Sequence, residues 1–167
     1  MWKSLRKRMP MAAAAASTAA LAVSANVAVA APIDVEFAAG DACTFALAVE
    51  GPGAQKDVRE FEDANGRIVR TLQTGRGSEL TFTNLQSGGT LSLPSNGSVT
   101  KTVFDDDGSA TVTLTGHTVL IMFPTDVPPG PSTTLYVGRV VFTVDSAGVF
   151  TILSTSGRSV DICEALS

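Results

Sequence analysis

Histidine, tyrosine and tryptophan each occur once in this chain, and cysteine twice. Each scarcity closes off a class of chemistry. With His117 as the sole imidazole, a metal centre built on several histidines is excluded within one chain. Carbohydrate-binding sandwiches usually stack sugars on exposed tryptophan and tyrosine platforms, and having only Trp2 and Tyr136 weighs against that reading. Phosphate-cradling loops are missing too. Gly75-Arg76-Gly77 and Gly88-Gly89 lack the spacing and the following Lys-Ser/Thr that such loops need, so both read as hairpin turns. No Gly-x-Ser-x-Gly elbow is present for a serine nucleophile.

Positive charge is concentrated at one end. Lys3, Arg6, Lys7 and Arg8 precede an uncharged, alanine-rich stretch from Met11 to Val23, and Ala28-Val29-Ala30 gives the small-x-small pattern of a cleavage site before Ala31. That order is the signature of a secretory signal peptide, so residues 1–30 are expected to be removed and residues 31–167 to form one domain. Met11 to Ala31 approaches the length of a spanning helix, but alanine contributes too little burial for a stable span. No later run is long and apolar enough to insert stably, because charges and glycines interrupt each one.

Losing the leader removes four of the twelve basic residues and none of the sixteen acidic ones, which leaves 137 residues with a net charge of −8. That charge repels phosphate backbones and anionic headgroups, which disfavours nucleic acid and membrane surfaces as partners and leaves a cationic or neutral partner, or an envelope component. In the oxidising compartment that a signal implies, Cys43 and Cys163 are expected to pair. The bridge would tie both ends to the body and leave no thiolate for nucleophilic chemistry.

The mature part shows period two rather than 3.6. Ile33, Val35 and Phe37 alternate with acids, and Cys43, Phe45, Leu47 and Val49 with smaller residues. Val58 to Glu62 and Arg67 to Thr74 flank Ala64-Asn65-Gly66, which predicts a type I′ hairpin. Further strands are expected over 79–84, 90–93, 98–104, 110–115, 118–123, 134–144 and 149–155, with a short helix over Asp161 to Leu166. Thr118 to Phe123 is apolar on both faces and suits a central strand. Pro124 to Ser132, with four prolines, is the one long irregular loop. About nine to eleven short antiparallel strands imply an all-β fold, a β-sandwich in preference to a closed or partly closed barrel.

Asp105, Asp106 and Asp107 are the candidates for a cation site, but contiguous acids without a bidentate Glu at the twelfth position do not make a calcium loop, and Gly108 favours a hairpin turn. His117, beginning a β run with Val119 and Ile121, reads as a structural or surface residue at a strand end rather than a catalytic base. Asn96-Gly97-Ser98 matches a glycosylation sequon and is first a turn signal.

The alanine-rich leader, the short β-rich body, the two cysteines and the ending Gly157-Arg158-Ser159-Val160-Asp161-Ile162-Cys163-Glu164-Ala165-Leu166 resemble small exported proteins of actinobacteria. The resemblance implies secretion from a bacterial cell and brings no catalytic residues to carry over. The residues thus point to a secreted, non-enzymatic structural or binding module without cofactor or metal, extracellular or associated with the cell envelope. Two other readings stay open. One is a carrier of a small apolar ligand, with a barrel cavity lined by Phe45, Phe82, Phe104, Phe142 or Phe150; the other is a hydrolase using His117 with a neighbouring acid.

Overall fold

A computed structural model describes residues 26–29, 31–93 and 97–167. The leader expected over 1–30 therefore lies outside the described residues apart from 26–29, and so does Asn96 of the sequon. Eleven strands are formed among them: β1 (Asn26–Val29), β2 (Ile33–Phe37), β3 (Leu47–Gly51), β4 (Gln55–Glu62), β5 (Ile68–Arg76), β6 (Leu80–Asn84), β7 (Thr90–Leu93), β8 (Ser98–Phe104), β9 (Ala110–Met122), β10 (Ser132–Val144) and β11 (Phe150–Asp161). One short helix, α1 (Ile162–Ala165), follows, capped by Asp161, whose carboxylate accepts from the Glu164 backbone N–H. The strands pair antiparallel into a seven-stranded sheet, β1-β4-β5-β8-β9-β10-β11, and a four-stranded sheet, β2-β3-β6-β7. The fold is a β-sandwich, and both sheets are open at their edges, so no barrel closes among the described residues.

The first core lies between the four-stranded sheet and one face of β9 and β10. Leu47, Val49 and Phe82 meet Val119, Ile121, Leu135 and Val137 there, with Ala42, Phe45, Ile162 and Leu166 closing its end. The Cys43–Cys163 disulfide, spanning 120 residues, fixes that end. In the chain-entropy account a closed loop of this size stabilises by about 4 to 5 kcal/mol. Thr133, fully buried, donates its hydroxyl to the Ala42 carbonyl at 2.9 Å, so the segment before β3 is held to β10 beside the bridge.

A second core lies on the opposite face of the same strands. Val112, Leu120, Met122, Val140 and Phe142 are buried together, with Leu114, Tyr136, Phe150 and Ile152 packed against them. Successive side chains of a strand point to opposite faces, so even positions of β9 and β10 serve this core and odd positions the first. Leu120 and Val112 stand on opposite halves of one strand, and a bend in the strand brings the two halves over one another.

The bend follows from chain reach. A straight β10 would separate Ser132 from Val144 by about 40 Å. Yet the loop before β10 is bonded to the strand beside its far end: Val127 N–H donates to Phe150 O and Ile152 N–H donates to Val127 O, each at 2.8 Å, while Phe150 pairs with Val144. Val127 to Ser132 reaches at most about 18 Å, and two interstrand steps add about 5 Å each. The ribbon of β9, β10 and β11 is therefore folded over on itself.

The crease is a row of glycines. Gly138 of β10 pairs with Gly116 of β9 on one side and with Gly157 of β11 on the other, and all three have positive φ, at 154°, 112° and 98°. A Cβ on Gly138 would collide with Ser156 O, and one on Gly157 with Val137 O. Glycine is required because backbones approach where the sheet turns a corner. The sequence pattern breaks β9 into two strands at Gly116 and ends β11 at Thr155; both strands instead continue through their glycine, bent there but unbroken.

Asp126 clasps the folded ribbon. It is buried, and its carboxylate accepts from Phe123 N–H at 2.7 Å and from Phe150 N–H at 2.9 Å. The proline-bearing loop is thereby pinned to the start of β11.

The β4–β5 hairpin departs from a type I′ turn. Asn65 does not have positive φ; Asp63 starts the turn, with its carboxylate accepting from the Asn65 and Arg67 backbone N–H groups and Gly66 (φ 79°) donating to its carbonyl. The same Asp-x-x-Gly turn recurs at Asp105–Gly108 and Asp145–Gly148, each closed by an N–H from the glycine to the aspartate carbonyl. Gly75 and Arg76, expected in a turn, belong to β5. Gly88 and Gly89 do turn, between β6 and β7, around Asn84, whose side-chain amide also reaches Leu166 O at 2.9 Å.

Candidate functional site

Where the sheet creases, the two sheets cannot stay in close contact, and a cleft of about 200 Å³ opens. Its sheet wall continues the glycine row: Lys56 pairs with Gly75, Gly75 with Ser98, and Ser98 with Gly116. Thr100 and Leu114 stand one step along; His117, Thr118 and Val119 follow the bend of β9. The opposite wall comes from the four-stranded sheet and its connections, through Ile33, Leu80, Ala54 and Ser78.

Two hydroxyls in this lining have no partner. Ser78 Oγ and Thr118 Oγ1 are buried and make no hydrogen bond to any described residue. Ser78 is 8% exposed and sits in the connection that carries the chain from β5 across to β6 in the other sheet. A buried hydroxyl without a partner costs roughly 1 to 3 kcal/mol, and water or a bound group with donor and acceptor oxygens, met by rotation of these side chains toward the cleft, supplies that partner. Lys56 brings one positive charge to the rim, and Ile33, Leu80, Leu114 and Val119 bring an aliphatic wall. No carboxylate is in the lining among the described residues.

His117 is half-buried in the middle of β9 and not at a strand end; its backbone N–H reaches Gly97 O at 3.4 Å. The reason is the crease, which lets β9 continue through Gly116. No hydrogen bond or ion pair joins its ring to an acid among the described residues, and no group of three or more His, Cys, Asp or Glu gathers there at metal-binding range. Asp105, Asp106 and Asp107 form a hairpin tip. Asp105 N–H donates to Ser109 O, Ser109 N–H donates to the Asp107 carboxylate, and Asp106 pairs with Arg67 on the neighbouring tip. The Ser109 hydroxyl and backbone N–H hold the Asp107 carboxyl below its ordinary range, and the Arg67 and Asn65 N–H groups do the same for Asp63. Asp106, in turn, raises the Arg67 guanidinium.

The phenylalanines named for an apolar cavity do not surround one space. Phe45 and Phe82 belong to the first core, Phe142 and Phe150 stack in the second with centroids 5.3 Å apart, and Phe104 is 42% exposed. Tyr136 is packed against the second core. Sequence reasoning passes over Ser78, Thr118, Lys56, Ser98 and Thr100. Nothing local distinguishes them, since they converge only through register and the crease. No protein-family model, curated protein or solved structure matches the chain.

Proposed function

We propose that the chain is an exported, non-enzymatic binding module of the cell envelope or extracellular space, with its ligand site in the cleft at the crease. The observation that carries this reading is the pair of buried hydroxyls, Ser78 Oγ and Thr118 Oγ1, left without partners on one lining. A hydroxyl both donates and accepts, so the complementary group is an oxygen-bearing one, a hydroxyl or a single carboxylate, with Lys56 as counter-charge for the latter. The rest of the ligand is aliphatic and lies against Ile33, Leu80 and Val119. A net charge of −8 after leader removal disfavours polyanions. The disulfide supports an oxidising compartment, and no helix among the described residues is long and apolar enough to cross a membrane.

Retention on envelope fractions and labelled wall polymers tests it. The protein recovered from the medium is retained, and S78A combined with T118V, which removes both hydroxyls at little change of volume, loses retention by about tenfold or more. Equal retention of the double variant, or turnover of a substrate by the wild type, would refute the reading.

A further inference from the structure

β4 is an edge in waiting. In the described chain its outer side is covered by β1, with Asn26 opposite Val58 and Val29 opposite Gln55. But β1 lies inside the leader, so its removal bares the N–H and C=O groups of β4 along that side. The hairpin behind it has little else to hold it: no side chain between Glu50 and Ser78 is buried, so β4 and β5 depend on their ladders. A bared, two-sided polar strand of eight residues is a template for another strand.

We infer that the mature chain forms a two-fold dimer by pairing β4 with β4 of a second copy, and that leader residues 26–29 cover this edge in the precursor. The occupant is specified by charge. Lys56-Asp57-Val58-Arg59-Glu60 is complementary to itself when reversed. With the two-fold axis at Val58, Lys56 faces the partner subunit's Glu60 and Asp57 faces the partner subunit's Arg59, twice each. Directly opposite charges of unlike sign stabilise an antiparallel pair and like charges destabilise it. Other registers are penalised. A slip of one residue sets Lys56 against Arg59 or Asp57 against Glu60, and a slip of two sets Asp57 against itself or Arg59 against itself. The irregularity between Phe61 and Glu62 ends the pairing on one side. A β4 pair is isologous, so it closes at two copies.

The inference rests on leader removal, which is part of the functional reading, but not on the cleft. Sedimentation equilibrium of the protein recovered from the medium, with its intact mass measured, tests it. The expected result is a chain beginning at Ala31 in a monomer–dimer equilibrium. D57R sets a positive charge directly against the partner subunit's Arg59 at both ends of the pair, and it weakens the dimer by about tenfold or more. D57R combined with R59D restores it, and circular dichroism shows all three equally folded. Four results would overturn the pairing: a folded protein that stays monomeric, a dimer indifferent to D57R, an open-ended series of larger species, or a mass that still includes Asn26–Val29. A monomer retained on envelope fractions would sink the dimer and leave the cleft standing; a dimer without retention would do the reverse.

Discussion

Gly157→Ala, compared with Gly148→Ala, isolates the contribution of the crease. Gly157 lies within β11 and Gly148 in the turn that joins β10 to β11, and their φ angles are similar, 98° and 85°. An added methyl at Gly148 meets nothing within 4 Å, whereas at Gly157 it collides with Val137 O and lies 3.0 Å from Gly138 Cα. Alanine in the left-handed region costs about 1 to 2 kcal/mol at either site. At Gly157 the neighbouring backbone must also move, and overpacking adds about 1 to 3 kcal/mol. G148A should therefore lose about 1 to 2 kcal/mol and G157A about 2 to 5, a large part of the stability of about 5 to 15 kcal/mol that a domain has. Urea titration followed by far-ultraviolet circular dichroism measures both, since the one tryptophan, Trp2, lies outside the described residues. An equal cost at the two sites, with unchanged slopes, would refute close packing at the crease.

Other outcomes follow from the same contacts. Asp126→Ala removes the acceptor for Phe123 N–H and Phe150 N–H, each such bond to a charged group being worth about 1.5 to 3 kcal/mol, and hydrogen exchange should quicken at Phe150, Val127 and Ile152 ahead of the first core. Leu47→Ala should cost about 2 to 5 kcal/mol and Phe142→Ala about 3 to 5, because each empties a different core; calorimetry would register both losses. The depressed carboxyls of Asp63 and Asp107 stabilise the fold above the ordinary carboxylate pKa of about 4, and lose that contribution as pH falls through their lowered values. D63N should therefore flatten the acid limb of a stability-against-pH curve, and an unchanged limb would count against the Asp63 turn. Replacing Cys43 and Cys163 by alanine should lower stability by about 4 to 5 kcal/mol, read from the shift in urea midpoint.

Strand alternation is legible because each strand obeys a local rule. Leu47, Val49 and Phe82 fall where period two places them, and Val119 to Met122 serves two cores as its two-faced pattern requires. Val35 breaks the pattern, at 45% exposed, because β2 is an edge strand with one neighbour. The disulfide is legible because two cysteines in an oxidising compartment have only each other to pair with, and the short final helix because the period-two pattern has ended before it. The Asp-x-x-Gly turns are also present to be read, three times over, but at the first of them Asn65-Gly66 carries the stronger hairpin signal and masks the part that Asp63 plays.

The crease is not legible. Gly116 and Gly157 each resemble a break beyond the end of a strand, Gly138 an ordinary position within one, and only the register of three long strands makes them neighbours. The cleft inherits that difficulty. Ser78 reads as a connection and Thr118 as an ordinary strand residue, and their burial comes from a fold that no window of sequence contains. His117 reads as a strand end because a glycine precedes it; the same glycine carries the strand onward.

The folded ribbon underlies both the second core and the cleft, and NMR cross-peaks between Val127 and the Phe150–Ile152 segment test it most directly. Close contacts there, with slow exchange at the Val127 and Ile152 amides, are expected from a ribbon doubled over at its glycines. Contacts absent while the β9–β10 ladder stays intact would mean that the strands run straight, with neither corner nor cleft.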